Sequence, residues 1–252
     1  MKELIIQSHE KNIPIGLGDA LVYSHIPEIA KTLYNYDKVY ISNLVKYRNQ
    51  EVKELVWDLN PFVDGFTDKE TEFPQCINQR IHKEGWKIPN QNIFDTVMLK
   101  YGFDNKERFN SGKIYYSPIF IEEYKEKNLF DPYFVTYTGD KIRIDYLQKE
   151  LDLNNTWQLE IDKEKISSKK PPSMISCETD KFFNVNSLKD YINKAFSCKK
   201  FYCMFAGMSL LMPAIGKQAN VFHGLDRFND MEVWFCKKQN NYINVGQLPK
   251  VR

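Results

Sequence analysis

With 252 residues, 42% of them hydrophobic and 14% aromatic, the chain can bury one large core or two modest ones. A formal net charge of +2, with acidic and basic residues interleaved, leaves no electrostatic footprint for duplex nucleic acid. The small basic excess suits an anionic small molecule or a membrane surface, but no run approaches the roughly 18 apolar residues of a membrane span. Five cysteines without C-x-x-C spacing read as reduced thiols, and four scattered histidines suggest no zinc site. The N-terminal MKELIIQSHEKN has an apolar run too short for a signal peptide, so a cytoplasmic protein is expected.

Taken in chain order, ELIIQ (3–7) reads as a short buried strand. The turn Gly16-Leu17-Gly18-Asp19 then opens a helix with Leu21, Val22, Ile26, Ile29, Ala30 and Leu33 at helical spacing. Pro27 falls in its middle, where it costs roughly 3 kcal/mol unless the helix kinks or begins later; a kink is the expectation. KVYIS (38–42) is the next strand, completing a strand–helix–strand unit of the length of a right-handed βαβ crossover. A helix is predicted over 49–59, a turn over NPFVDGF (60–66) and a helix over 92–103. KIYYS (113–117) is read as a strand and 119–128 as helical, with a domain boundary at 118/119.

The second half repeats the alternation. Strands are predicted over 132–139, 156–161, 173–177, 200–207 and 218–224, and helices over 143–151, 186–196 and 208–216. Residues 166–173 form a polar, proline-rich loop. Two α/β halves in succession follow, 1–118 and 119–252, each built on a parallel sheet.

Two glycine-punctuated segments are candidates for chemistry. Gly16 and Gly18 allow close approach to the backbone, and Asp19 is either a helix cap or a general base at the edge of a sheet. The third glycine of a dinucleotide fingerprint is absent, since Leu21 stands there. In FYCMFAGMSLLMPAIGKQANVFHG (201–224), a strand runs into Gly207, Met208 and Ser209 and then into an apolar helix. The plain reading of this segment is a βαβ crossover. None of the sixteen aspartates forms an Asp-x-Asp pair, which weighs against a metal held by such a pair. Arg48 is read as a solvated loop charge, with an anionic acceptor as its functional alternative.

Together the two segments resemble the signatures of the family 9 glycosyltransferases, the heptosyltransferase-like enzymes. The first block is Gly18-Asp19, Pro27, Lys31, the strand KVYIS and Asn60-Pro61-Phe62-Val63-Asp64; the second is FAGMSLLMPAIGKQANVFHG. The resemblance implies two Rossmann-like domains facing each other across a cleft, in a compact version. It implies metal-independent, inverting transfer of a sugar from a nucleotide-diphosphate donor to a bacterial surface glycan or glycolipid. No cofactor beyond the nucleotide sugar, no nucleic acid partner and a peripheral place at the inner membrane face go with it. Asp19 matches the family's general base, with Gly16 and Gly18 at the approach of phosphate or acceptor. Gly207, Met208 and Ser209 match the donor-binding loop, and Thr138, Gly139 and Lys141 a second donor contact. Leu210 and Leu211 stand where the family carries a histidine. A nucleotide- or glycan-binding descendant without catalysis, and an α/β scaffold, are the alternatives.

Overall fold

Short apolar runs alternating with helices produce parallel sheets throughout the chain. A computed structural model describes residues 1–73, 93–103, 111–134, 142–161, 173–224, 236 and 238–246. The chain divides into two compact units, Met1–Tyr116 with Asp230–Cys236 and Ser117–Asn229 with Lys237–Arg252.

The first unit carries strands β1 (Glu3–Ile6), β2 (Pro14–Ile15), β3 (Lys38–Ser42), β4 (Lys46–Tyr47) and β5 (Gly65–Thr67). Its helices are α1 (Leu17–Tyr23), α2 (Ile26–Thr32), α3 (Gln50–Lys53, continued by a π-helical turn Glu54–Asp58) and α4 (Ile93–Lys100). Strands β1, β3 and β5 form a parallel sheet with β3 in the middle, and β2 pairs with β4.

The expected kinked helix is two helices. The first ends at Ser24, and Pro27 lies in the first turn of the second. A proline there removes no intrahelical hydrogen bond, because the first N–H groups of a helix have no partner within it. The break is held from outside. Asn60 donates from Nδ2 to the Ser24 carbonyl at 3.3 Å, and the Lys113 N–H donates to Ser24 Oγ at 2.7 Å.

The Asn60–Asp64 turn is a clamp. Asn60 Oδ1 accepts from the Phe62 N–H at 3.0 Å. Asp64 accepts from the Val39 N–H at 2.8 Å and pairs with Lys31 at 2.6 Å and Lys38 at 3.1 Å. Burial pushes the Asp64 carboxyl up, but Lys31, the Val39 N–H and Lys38 together hold it down at about 2. One side chain thus joins α2 to the start of β3.

Two expectations for the connecting stretch are corrected. Residues 112–121 form no strand; the chain there is pinned by Lys113 and Tyr115, both bonded to Glu28. The expected helix over 119–128 is a single 3-10 turn, Glu122–Tyr124. Apolar residues at 119–121 imitate a helix face, yet Ile119 and Phe120 are exposed, and the Ile119 and Ile121 N–H groups are capped by Asn193 and Ser197.

The second unit contains β6 (Asn128–Asp131), β7 (Tyr133–Phe134), β8 (Thr156–Leu159), β9 (Ser173–Met174), β10 (Phe182–Phe183), β11 (Lys200–Met204), β12 (Ala219–His223) and β13 (Asn241–Asn244). Its helices are α5 (Ile144–Glu150), α6 (Leu188–Ser197) and α7 (Met208–Ala214). Six strands form one all-parallel sheet in the order β10-β8-β6-β11-β12-β13. Numbered along the chain, that order is 3-2-1-4-5-6, the doubly wound arrangement. Sequence reading places the first strand at 132–139; the sheet strand is Asn128–Asp131, one segment earlier, and Tyr133–Phe134 instead pairs antiparallel with β9. Asn128–Asp131 is buried along its whole length, as a central parallel strand requires. Phe130, Tyr202, Met204 and Phe222 form the core with Leu147 of α5 and Leu151 directly after it. Each fully buried aromatic here contributes about 2–3 kcal/mol by area removed from water.

Candidate functional site

In an open α/β sheet, ligands bind outside the carboxyl ends of the strands, at the point where the strand order reverses. In the second unit that point lies between β6 and β11. The carboxyl end of β6 is Asp131, aligned with Cys203 across the ladder. Asp131 accepts from the Tyr133 N–H at 2.9 Å and from the Tyr191 hydroxyl at 2.8 Å. It is fully enclosed, and burial raises its carboxyl to about 6 against those two hydrogen bonds.

Beside this point, β11 runs through Phe205 and Ala206 into Gly207, Met208 and Ser209, the turn expected to face a donor. The Ser209 hydroxyl donates to the Ala206 carbonyl at 2.7 Å, and Ser209 is buried. Its carbonyl is taken by Asn240 Nδ2 at 2.6 Å, while Asn240 Oδ1 accepts from the Ala219 N–H. Ser209 therefore shapes the turn, leaving Gly207 and Met208 as the residues that open α7. Lys217 of the Gly-Lys pair donates to the carbonyls of Phe196 and Cys198, where it caps the carboxyl end of α6. Thr138, Gly139 and Lys141 lie outside the described residues.

A cavity of about 720 Å³ opens at the carboxyl ends of β8 and β10. Gln158 lines it from β8 and Glu160 and Ile161 from the residues that follow, Phe182 from β10 and Asn184 and Asn186 from the residues that follow, and Tyr133, Met174 and Ser176 from the antiparallel β7–β9 pair and just beyond it. Gln158 is anchored, accepting from the Cys177 N–H at 3.0 Å, and Tyr133 accepts from the Ile161 N–H through its hydroxyl. Phe182 and Met174 keep 42% and 45% of their surface exposed, unusual for large apolar groups and fitting for a cover over a flat ligand. Sequence reading finds the strand that carries Gln158 but misses the cavity, because its other walls stand on the two-residue strands β7, β9 and β10, too short for a period to show. The one legible sign is an acidic residue directly after a strand of the sheet.

In the first unit, Asp19 is the third residue of α1. Its Oδ2 accepts from the Gly16 N–H at 3.1 Å, the return bond of a capping box, so the capping reading holds. The β2–β4 pair brings Arg48 alongside, with the Arg48 N–H on the Ile15 carbonyl at 2.9 Å. His9, just past β1, is buried and accepts at Nδ1 from the Glu10 N–H at 2.7 Å. Burial lowers its pKa, Asp19 and Glu10 push it back up, and Arg48 lowers it further. His9, Asp19 and Arg48 thus share one electrostatic neighbourhood around Gly16, directly after β2. Gln7 braces that end, bonding the His9 carbonyl and the Thr71 N–H.

A parallel sheet in the order 3-2-1-4-5-6 with a cavity beyond its carboxyl ends defines the doubly wound class of α/β fold. No family model matches the chain, and no curated protein matches it. Among solved structures, it is similar over 98% of its length to the glycosyl transferase family 9 protein from Veillonella parvula, with a TM-score of 0.52, 10% identity and 86% of that chain covered. It is also similar over 98% of its length to the dodecameric iron-containing heptosyltransferase TibC, solved with ADP-D-β-D-heptose, with a TM-score of 0.57 and 11% identity. The chain spans 65% of that protein's length. At these identities the likeness is one of fold, and it agrees with the α/β, parallel-sheet part of the expected architecture. No helix among the described residues is long and apolar enough to cross a membrane.

Proposed function

We propose that the chain is a metal-independent, inverting glycosyltransferase that takes a sugar from a nucleotide-diphosphate donor, with a bacterial surface glycan or glycolipid as acceptor. The observation that carries this reading is the cavity beyond the carboxyl ends of β8 and β10, in a sheet of doubly wound order. A nucleoside fits its size and its mixed lining. Phe182, Met174 and Tyr133 offer flat apolar cover for a base, Asn184 and Asn186 offer amides for its edge, and Glu160 accepts from ribose hydroxyls. The diphosphate would reach the Gly207–Met208 turn, with Thr138, Gly139 and Lys141 as a second donor contact. Asp19 is the proposed base. As the acceptor oxygen attacks the anomeric carbon, Asp19 takes its proton, the bond to the diphosphate oxygen breaks and configuration inverts.

A non-catalytic nucleotide-binding descendant is the second reading, favoured by the buried, internally bonded Ser209 hydroxyl. One experiment separates the two. The melting temperature is measured with ADP, GDP and UDP, and nucleotide release is measured from the corresponding nucleotide sugars. The transferase reading expects a rise with one nucleotide, because a ligand that binds only the native state must stabilise it. It also expects nucleotide release lowered about 10²–10⁴-fold by Asp19→Asn, whose amide oxygen can still accept from the Gly16 N–H and so keeps the cap of α1. A shift without release supports the descendant, and no shift with any nucleotide overturns both.

A further inference from the structure

Gln158 is only 3% exposed, yet it lines the cavity with half of its amide unused. Its Oε1 accepts from the Cys177 N–H at 3.0 Å, and that bond fixes which way the amide faces, since an N–H meets only the oxygen. The Nε2 group has no acceptor among the described residues and is not sealed from solvent, so its hydrogens open on the cavity. A ligand that fills the cavity displaces water from this donor and must bring an acceptor of its own. Glu160, two residues on, faces the same space. The Gln158 N–H donates to the Lys181 carbonyl at 2.9 Å and the Glu160 N–H to the Phe183 carbonyl at 3.0 Å, so the two side chains leave one side of an extended chain. Gln158 is buried and Glu160 exposed, which places the donor at the floor and the carboxylate at the rim. Every nucleoside carries a matching pair. One edge of the base presents an acceptor beside the sugar, N3 in a purine and O2 in a pyrimidine, and the ribose hydroxyl lies next to it.

We propose that Gln158 reads the sugar edge of the bound nucleobase, donating from Nε2 to purine N3 or pyrimidine O2 while Glu160 accepts from the neighbouring ribose hydroxyl. This rests on the reading of the cavity as the donor's nucleoside site. The pair recognises the junction of base and ribose, which all nucleotides share. Gln158 therefore sets how tightly any nucleotide is held, and not which base is chosen. Its depth gives it this weight: an exposed amide that loses its partner turns to water, whereas a buried one facing an apolar ring atom is left unpaired.

The test is isothermal titration calorimetry on the full chain with ADP, GDP and UDP at pH 8. Gln158→Glu keeps an oxygen for the Cys177 N–H and puts an acceptor where the donor stood. It should weaken every nucleotide that wild type binds by about tenfold or more, and by a similar factor for each. Gln158→Met keeps the length of the side chain without the donor; it should act in the same direction, and it guards against a buried carboxylate unfolding the protein. The 3-deaza analogues of ADP and GDP, with a C–H in place of N3, give a readout that a purely structural role would not move. Wild type should hold them about tenfold more weakly than the parent nucleotides, and Gln158→Met should hold parent and analogue alike. Unchanged binding in both variants, or equal affinity of wild type for a purine nucleotide and its 3-deaza analogue, overturns the proposal and leaves the nucleoside site standing. No binding of any nucleotide to wild type overturns the donor reading and this assignment with it.

Discussion

Asp131 shows how a single residue sets the response of this protein to pH. Its carboxyl titrates at about 6 in the folded protein against 3.8 in a free chain. Between those values the folded state holds a proton that the unfolded state has lost. Stability from this group is therefore full below about pH 4 and falls as pH rises to about 6, by on the order of 3 kcal/mol. His25 works the other way. It is fully buried, edge-on to Phe94, and burial lowers its imidazole to about 3, so it loses stability as pH falls below 6.5. Because the two windows overlap, the comparison must be between wild type and Asp131→Asn. Denaturant titrations from pH 4 to 7 should show the variant gaining on wild type as pH rises through 4–6, with no further change above. A constant difference across that range would mean that Asp131 does not titrate there.

Among the elements, what the sequence makes legible follows its periodicity. KVYIS is found as the strand Lys38–Ser42, and the helix capped by Ser187 begins at Leu188, with Ser187 Oγ accepting from the Asp190 N–H. The double helix in place of a kinked one is less legible, because the break at Ser24 is set by Asn60 and Lys113, distant in sequence. The short strands Phe182–Phe183 and Asn241–Asn244 carry no periodic signal and form only because the sheet recruits them. Asp19, Gly207 and Ser209 are legible as turn residues; the nucleoside-sized cavity is not. The stretch at Gly112 illustrates the long-range part. A methyl group there would lie 2.7 Å from the Leu21 carbonyl and 3.0 Å from Ser24 Oγ, the atoms that organise the α1–α2 break. Gly112→Ala should destabilise the protein by about 1–3 kcal/mol, read from urea unfolding, whereas a loss below about 0.5 kcal/mol would show that the break yields.

At the scale of the whole molecule, each of the two units has its own sheet and its own buried core, so their stabilities are separately measurable. Hydrogen exchange with and without ADP should show new protection in the second unit, at residues 158–161, 182–186 and 205–210. The β1–β3–β5 sheet should exchange as before. Protection spread evenly over both sheets would contradict a nucleotide cavity built from the second unit's strands.

The carboxylate of Asp64 is engaged three times over, by a main-chain N–H and two lysines, and the ammonium of Lys217 is engaged by two carbonyls. Both belong to the short patterns by which this chain resembles its enzyme counterparts, and both are committed to architecture. Proteins gathered by those patterns would share a chassis, and the chemistry mounted on it would be free to diverge.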